Sequence, residues 1–297
     1  MKFINPVTDF GFKHIFKDEE ITRGFLNALI QKYDPTTHIK SVTITDGELD
    51  DTNKDSRRVV YDVHCTTDND EHFVIEMQNE PQTFFSERIV YYLSRAISYQ
   101  QGKGYIEYID ANGEKQKKPW NYHLKKIYGV FFMNFKDAEP DRQQGLSHFA
   151  FMETDKKYQD SDVLQYWKIQ MPIYRKMKES DCQDDIDKWI FNITNMPEME
   201  TQLAFTDEIP LFKRLEQIAS YSDLSPQQQI QYDDSFNNYL AYMGQQEYKL
   251  QEGIKIGRAE GAKSASIAIA RKLKAKNASI DDIAELTGLT ISEIQKL

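Results

Sequence analysis

The chain contains only two cysteines, Cys65 and Cys182, in 297 residues. Two cysteines exclude a disulfide framework and a cysteine-based zinc site. Histidine is scarce as well, and its six copies show no His-x-x-x-His or comparable ligand spacing. His14, His64 and His72 read as ordinary surface or half-buried residues. No run approaches the ~20 apolar residues of a membrane span, and the N-terminus has no apolar signal core. The expectation is a soluble, cytoplasmic protein that does not engage a membrane. Positive charge is also in short supply, with 37 Lys and Arg against 47 Asp and Glu and a formal net charge of −10. That balance counts against nonspecific coating of nucleic acid. Attraction to DNA has to come from local patches and to weaken steeply with salt. One such patch runs from Gly253 to Lys276, where seven basic residues face a single acid, Glu260.

What the chain does have is a hairpin pattern with chemistry on it. Arg57 to Thr66 and His72 to Gln78 are both rich in β-branched and aromatic residues, and Thr67 to Glu71 between them is turn-forming. Alternation puts Val59, Tyr61, Val63 and Cys65 on one face of the first arm, with Asp62 and His64 opposite. In the second arm Phe73, Ile75 and Met77 oppose Glu76 and Gln78. Two carboxylates and an amide on paired strands suit a divalent metal. A hairpin with one solvated face would carry the same residues for solubility.

Around this hairpin the chain divides into three stretches. Residues 1–155 read as one α/β unit. It opens with a helical stripe from 9 to 32 that ends at Asp34-Pro35 and continues with a strand over 39–49 before the hairpin. A helix over 84–101, an exposed Lys-rich loop or hairpin tip over 110–118, an apolar central strand over 127–135 and a neighbour at 148–153 complete it. From about 156 the pattern turns helical, with stripes at 185–193, 210–220 and 226–250; Ser225-Pro226 is a cap followed by proline at the first helical position. Residues 156–250 are therefore expected to be a helical region that braces the core or meets a partner. Residues 251–297 form a basic tail. Its Gly253, Gly257 and Gly261 share one helix face, which suits either a self-association seam or a loosely ordered arm. Its end, Ser279 to Ile294, reads as helix, turn, helix, with Ala284, Gly288 and Ile294 at helix-turn-helix spacing. The second helix offers little for reading bases, so a packing or assembly module competes with DNA recognition.

The order of these pieces resembles the PD-(D/E)XK nucleases, and within them the Rpn-type recombination-promoting nucleases or putative transposases. The resemblance is carried by Thr8-Asp9-Phe10-Gly11-Phe12-Lys13-His14-Ile15-Phe16, Tyr61-Asp62, Ile75-Glu76-Met77-Gln78 and Arg88-Ile89-Val90-Tyr91-Tyr92. It extends through Gly104-Tyr105 and Ile127-Tyr128-Gly129-Val130 to the glycine-spaced tail. It implies an α/β fold: a restriction-endonuclease-like mixed sheet flanked by helices, followed by a helical region and a C-terminal helical tail. It also implies a metal-dependent DNA endonuclease linked to recombination or transposition. Asp62 and Glu76 would be ligands to Mg²⁺ or Mn²⁺, with the Met77 carbonyl as a further oxygen. Gln78 stands where the superfamily name has lysine; it can orient water but brings no charge. Lys13 and Arg88 are then the candidates for phosphate or transition-state contacts. Asp9 is either a third acid or the cap of the first helix. DNA is the expected partner, together with a homodimer through the C-terminal arm. The competing reading is a nuclease-fold DNA-binding or assembly module with weak or no catalysis.

Overall fold

A computed structural model of the protein describes residues 2–45, 60–100 and 105–297. Helices α1 (Asp9–Phe16) and α2 (Glu19–Gln31) are followed by strands β1 (Val42–Thr45), β2 (Val63–Thr67) and β3 (His72–Gln78). Helix α3 (Phe85–Gln100) then leads to strands β4 (Tyr105–Ile109), β5 (Lys115–Pro119), β6 (Ile127–Met133), β7 (Leu146–Met152) and β8 (Gln159–Gln170). The remainder is helical: α4 (Met171–Tyr174), α5 (Asp185–Asn195), α6 (Leu211–Ala219), α7 (Pro226–Ala275), α8 (Ile280–Thr287) and α9 (Ile291–Gln295), with short 3-10 turns between some of them. Two compact units emerge, Met1–Phe236 and Asn237–Leu297.

In the first unit six strands form one mixed sheet in the order β1-β2-β3-β6-β8-β7. Strand β3 runs parallel to β6, and β6 parallel to β8, while the outer pairings are antiparallel. Every residue of β6 is buried, which explains its unbroken apolar run: a strand covered on both faces has no polar positions to spare. On one face Val74, Ile127, Phe131 and Met133 pack against Phe85, Ile89, Leu93 and Ala96 of α3. Gly129 permits that approach, because an added Cβ would lie 2.6 Å from the Phe131 ring and 3.0 Å from Leu93. On the other face Phe132 meets Phe12 and Phe16 of α1 and Phe25 of α2. Phe25 in turn touches Trp189 of α5, which packs on Phe212 of α6.

Several expectations change. The stripe over 9–32 is two helices, because Asp18 caps a new one by accepting from the Ile21 N–H at 3.0 Å. The first helix is capped by the Thr8 hydroxyl, which accepts from Gly11 N–H at 3.0 Å; Asp9 is the first helical residue and is not the cap. The shift to helix expected at about 156 does not occur there, since Gln159–Gln170 is the longest strand of the sheet. Its outer half is polar and only half-buried, which hid it from a search for apolar alternation. The neighbour at 146–152 pairs with this strand rather than with the central one. The Lys-rich run 110–118 keeps its expected place as an exposed hairpin tip, the turn and second strand of the antiparallel ribbon β4–β5. Arg57 to Val59 of the hairpin and residues 46–49 of the earlier strand lie outside the described residues.

In the second unit α7, α8 and α9 gather around Ala270, Ile283, Leu289 and Ile294, with Ala284 packed alongside. Gly288 ends α8 at φ 67°, the left-handed conformation that glycine adopts without a Cβ penalty. Helix α7 continues well past residue 250, so the glycine-spaced segment is helical.

Candidate active site

The candidate side chains collect where the parallel strands end. Continuing the β2–β3 register, in which Val63 faces Ile75, sets Asp62 opposite Glu76. Asp62 sits in the bend just before β2. The two residues are clasped through the main chain. The Asp62 N–H donates to Glu76 Oε1 at 3.1 Å, and the Met77 N–H donates to Asp62 Oδ2 at 2.8 Å. The Gln78 Nε2 donates to Glu76 Oε2 at 3.3 Å. In a strand the N–H and C=O of one residue point to the same edge. The Met77 carbonyl therefore also points to the Asp62 side, away from β6.

This is not a solvated hairpin face. Glu76 is 2% and Gln78 8% exposed, because α3 covers the side of the sheet that carries them. Burial pushes the Glu76 carboxyl up to about 8, helped by the adjacent Asp62 charge. Burial likewise raises Asp62 against the pull of the Met77 N–H and of Lys13. A buried and a half-buried carboxylate that both disfavour ionisation side by side would each be relieved by a cation.

Among the described residues Lys13 is the ammonium within ion-pair reach of Asp62. Its Nζ is 2.6 Å from Asp9 Oδ1 and 3.9 Å from Asp62 Oδ1. Burial works to lower this ammonium, but the hydrogen bond to Asp9 and the charges of Asp9, Asp62 and Glu76 leave it raised. Asp9 thus acts on Lys13, and its own side chain is 70% exposed. Arg88 stands on α3, donating to Gln82 Oε1 at 3.1 Å and to the Tyr92 hydroxyl at 2.9 Å. Its charge is felt at both Asp62 and Glu76.

Two supports were not singled out from sequence. Tyr61 is buried and donates to the Tyr92 carbonyl at 2.9 Å, locking the residue before Asp62 onto α3. It appeared only within Tyr61-Asp62 of the resemblance and was expected on the Val63 face, but it packs with Val74 and Phe85 on the α3 side, because the strand begins only at Val63. Asn79 Nδ2 donates to the Val7 carbonyl at 2.8 Å and its Oδ1 accepts from Asn134, which in turn accepts from Arg175 at 3.0 Å. That chain ties the end of β3 to the segment preceding α1. No residue pattern announced it.

Among the described residues no three His, Cys, Asp or Glu side chains gather as a metal cluster. The donor set is instead two carboxylates, a main-chain carbonyl and an amide. All-oxygen donors with room for water fit a hard divalent ion rather than zinc or copper. Among the described residues no helix is long and apolar enough to cross a membrane.

No curated protein and no solved structure matches the chain. The family model described as PD-(D/E)XK nuclease family transposase matches residues 6–244. The match takes in Lys13, Asp62, Glu76, Gln78 and Arg88 and stops short of the glycine-spaced segment. The mixed sheet flanked by helices agrees with it, and the chain belongs to the PD-(D/E)XK nuclease family transposases.

Proposed function

We propose that the protein is a divalent-metal-dependent endodeoxyribonuclease, hydrolysing phosphodiester bonds in the service of recombination or transposition. The observation that carries this reading is the buried Asp62–Glu76 clasp at the C-terminal edge of β3. Residues 62, 76 and 77 would hold Mg²⁺ or Mn²⁺ through the two carboxylates and the Met77 carbonyl. Such an ion supplies Lewis acidity toward a phosphodiester oxygen and a more acidic bound water. Gln78 commits its Nε2 to Glu76, which leaves Oε1 to accept a hydrogen bond from the attacking water and aim it. Lys13, kept charged by its acidic neighbours, contacts the phosphate and offsets charge that builds there. Arg88 adds a second cation from α3. Nicking of supercoiled plasmid in Mn²⁺, absent with chelator and absent in Asp62→Ala, tests the proposal. Equal nicking by wild type and Asp62→Ala rules it out.

One observation favours a second reading, a nuclease-fold DNA-binding or assembly module. The Lys13 ammonium is already held 2.6 Å from Asp9, and Gln78 brings no charge. A calorimetric Mn²⁺ titration with no heat beyond the Asp62→Ala control, with DNA present, selects this reading. For either one, self-association through α7 is the proposed assembly. Leu240, Met243, Leu250 and Ile254 are exposed along it, and an added Cβ at Gly253, Gly257 or Gly261 meets nothing within 4 Å.

A further inference from the structure

Lys168 is a charged residue that the proposed chemistry does not use. It lies in the same row of the sheet as Glu76, since Glu76 pairs with Phe131 and Phe131 with Lys168. Two strand spacings put the two residues about 10 Å apart on one face. Lys168 is 6% exposed, and burial lowers its ammonium. Its Nζ donates to the Ser86 hydroxyl at 3.1 Å and stands over the Phe85 and Phe149 rings at 5.7 and 5.2 Å. Among the described residues no carboxylate lies within ion-pair reach of it, and Asp137 and Glu87 act on it only from farther away. A buried cation without an anion is a cost that a fold carries for a reason.

That reason opens directly onto a groove. A cavity of about 820 Å³ between the start of α3 and the segment after β6 has Lys168, Ser86 and Arg142 at one end. Phe85, Tyr91 and Phe135 form its wall. Ser86, Asp137, Arg142 and Lys168 also line a second cavity of about 470 Å³, so the two communicate through the Lys168 end. The volume lies within the range of small-ligand sites. Hydroxyl, ammonium and guanidinium at one end with aromatic rings beside them match a phosphate joined to a flat ring. Asp137 lies at the same end, so a phosphate there meets two cations and one carboxylate, and Glu139 is a further acceptor in the lining.

We propose that this groove takes one unpaired nucleotide of the DNA strand being cut, its phosphate against Lys168, Ser86 and Arg142 and its base against Phe85 and Tyr91. A base enters such a concavity only when it is free of its partner strand, so the substrate class is single-stranded or locally opened DNA. That the strand is DNA, and that it is cut, rests on the proposed nuclease activity; occupation of the groove does not.

The test is binding without cleavage. A short labelled oligothymidylate and a duplex of equal length are titrated against the full chain in EDTA over a series of salt concentrations. The single strand binds more tightly. Lys168→Met and Arg142→Gln each weaken it about five- to tenfold and each reduce the slope of log affinity against log salt by about 0.7, the loss of one phosphate contact. Tyr91→Ala weakens it about tenfold with the slope unchanged, as loss of stacking requires. Lys168→Met keeps the buried stem, and Arg142 is exposed, so the second variant decides if the first fails to fold. Unchanged affinity and slope in Arg142→Gln and in any folded Lys168→Met overturn the proposal, as does tighter binding of the duplex. Strand binding that depends on these residues in a protein that never nicks would refute the nuclease and keep the groove. Asp62-dependent nicking with binding indifferent to all three variants would do the reverse.

Discussion

The sheet edge and the C-terminal unit treat charge in opposite ways. At the edge, Glu76 and Lys168 are buried, and burial works against the ionised form of each. In the unit Asn237–Leu297 the buried residues are Ala270, Ile283, Leu289 and Ile294, none of them charged. Glu293 is held down to about 2 by the main chain and hydroxyl of Thr290 and by Lys263, whose Nζ is 3.2 Å away. Lys274 donates to the Ile294 carbonyl at 3.1 Å and closes the last helix. Every level of the second region agrees with its fold, while the first carries a local conflict of the kind expected where chemistry is done.

Four experiments press on that contrast. The largest effect is expected from Asp62→Ala or Glu76→Ala, each lowering Mn²⁺-dependent nicking on the order of 10³-fold with the circular dichroism spectrum unchanged. Lys13→Ala should lower turnover about 10²-fold while shifting the melting temperature little; a large melting shift with normal turnover would make Lys13 structural. Next comes pH. The Glu76 carboxyl titrates near 4.5 when unfolded and near 8 when folded without metal. The folded state therefore binds the extra proton between those values. Its contribution to stability is complete below 4.5 and is lost as pH rises through about 8, a change of a few kcal/mol at most. Chelated wild type should melt lower at pH 8.5 than at pH 5.5, Glu76→Gln should flatten that difference, and Mn²⁺ should reverse it. A flat profile in chelated wild type contradicts the buried-acid account. The smallest effect on activity belongs to the other region: Ile283→Ala should cost its unit about 2–4 kcal/mol, seen as early loss of helix signal, and leave nicking unaltered. Reduced nicking in that variant would mean that the two regions are not separable in function.

Much of this was legible in the residues themselves. β-branched arms around a polar turn gave the hairpin, and the apolar run Ile127–Met133 gave the central strand, because both patterns report burial directly. Asp62 and Glu76 were visible as facing residues, but that their face is dry was not. Its cover, α3, is fixed by packing of Phe85, Ile89 and Leu93 that alternation along a strand does not encode. Strand β8 was missed since only its last four residues, Trp167 to Gln170, are buried. With it went Lys168, whose significance lies entirely in which strand it sits on. The cap of α1 was misread by one residue, because Thr8 and Asp9 are both good capping types and only the backbone turn at Thr8 separates them.

The strand order also sets a timetable. Strand β8 lies between β6 and β7, yet it is made after both. As the chain leaves the ribosome, β6 can pair with the earlier β3, but β7 has no partner strand until residues 159–170 arrive. Asp62 and Glu76 are therefore made before the sheet can close, and Lys168 joins Ser86 and Arg142 only when β8 is complete. A nascent chain that stops before β8 has the acids but not Lys168, and completion of that one strand both seats β7 and delivers the buried ammonium.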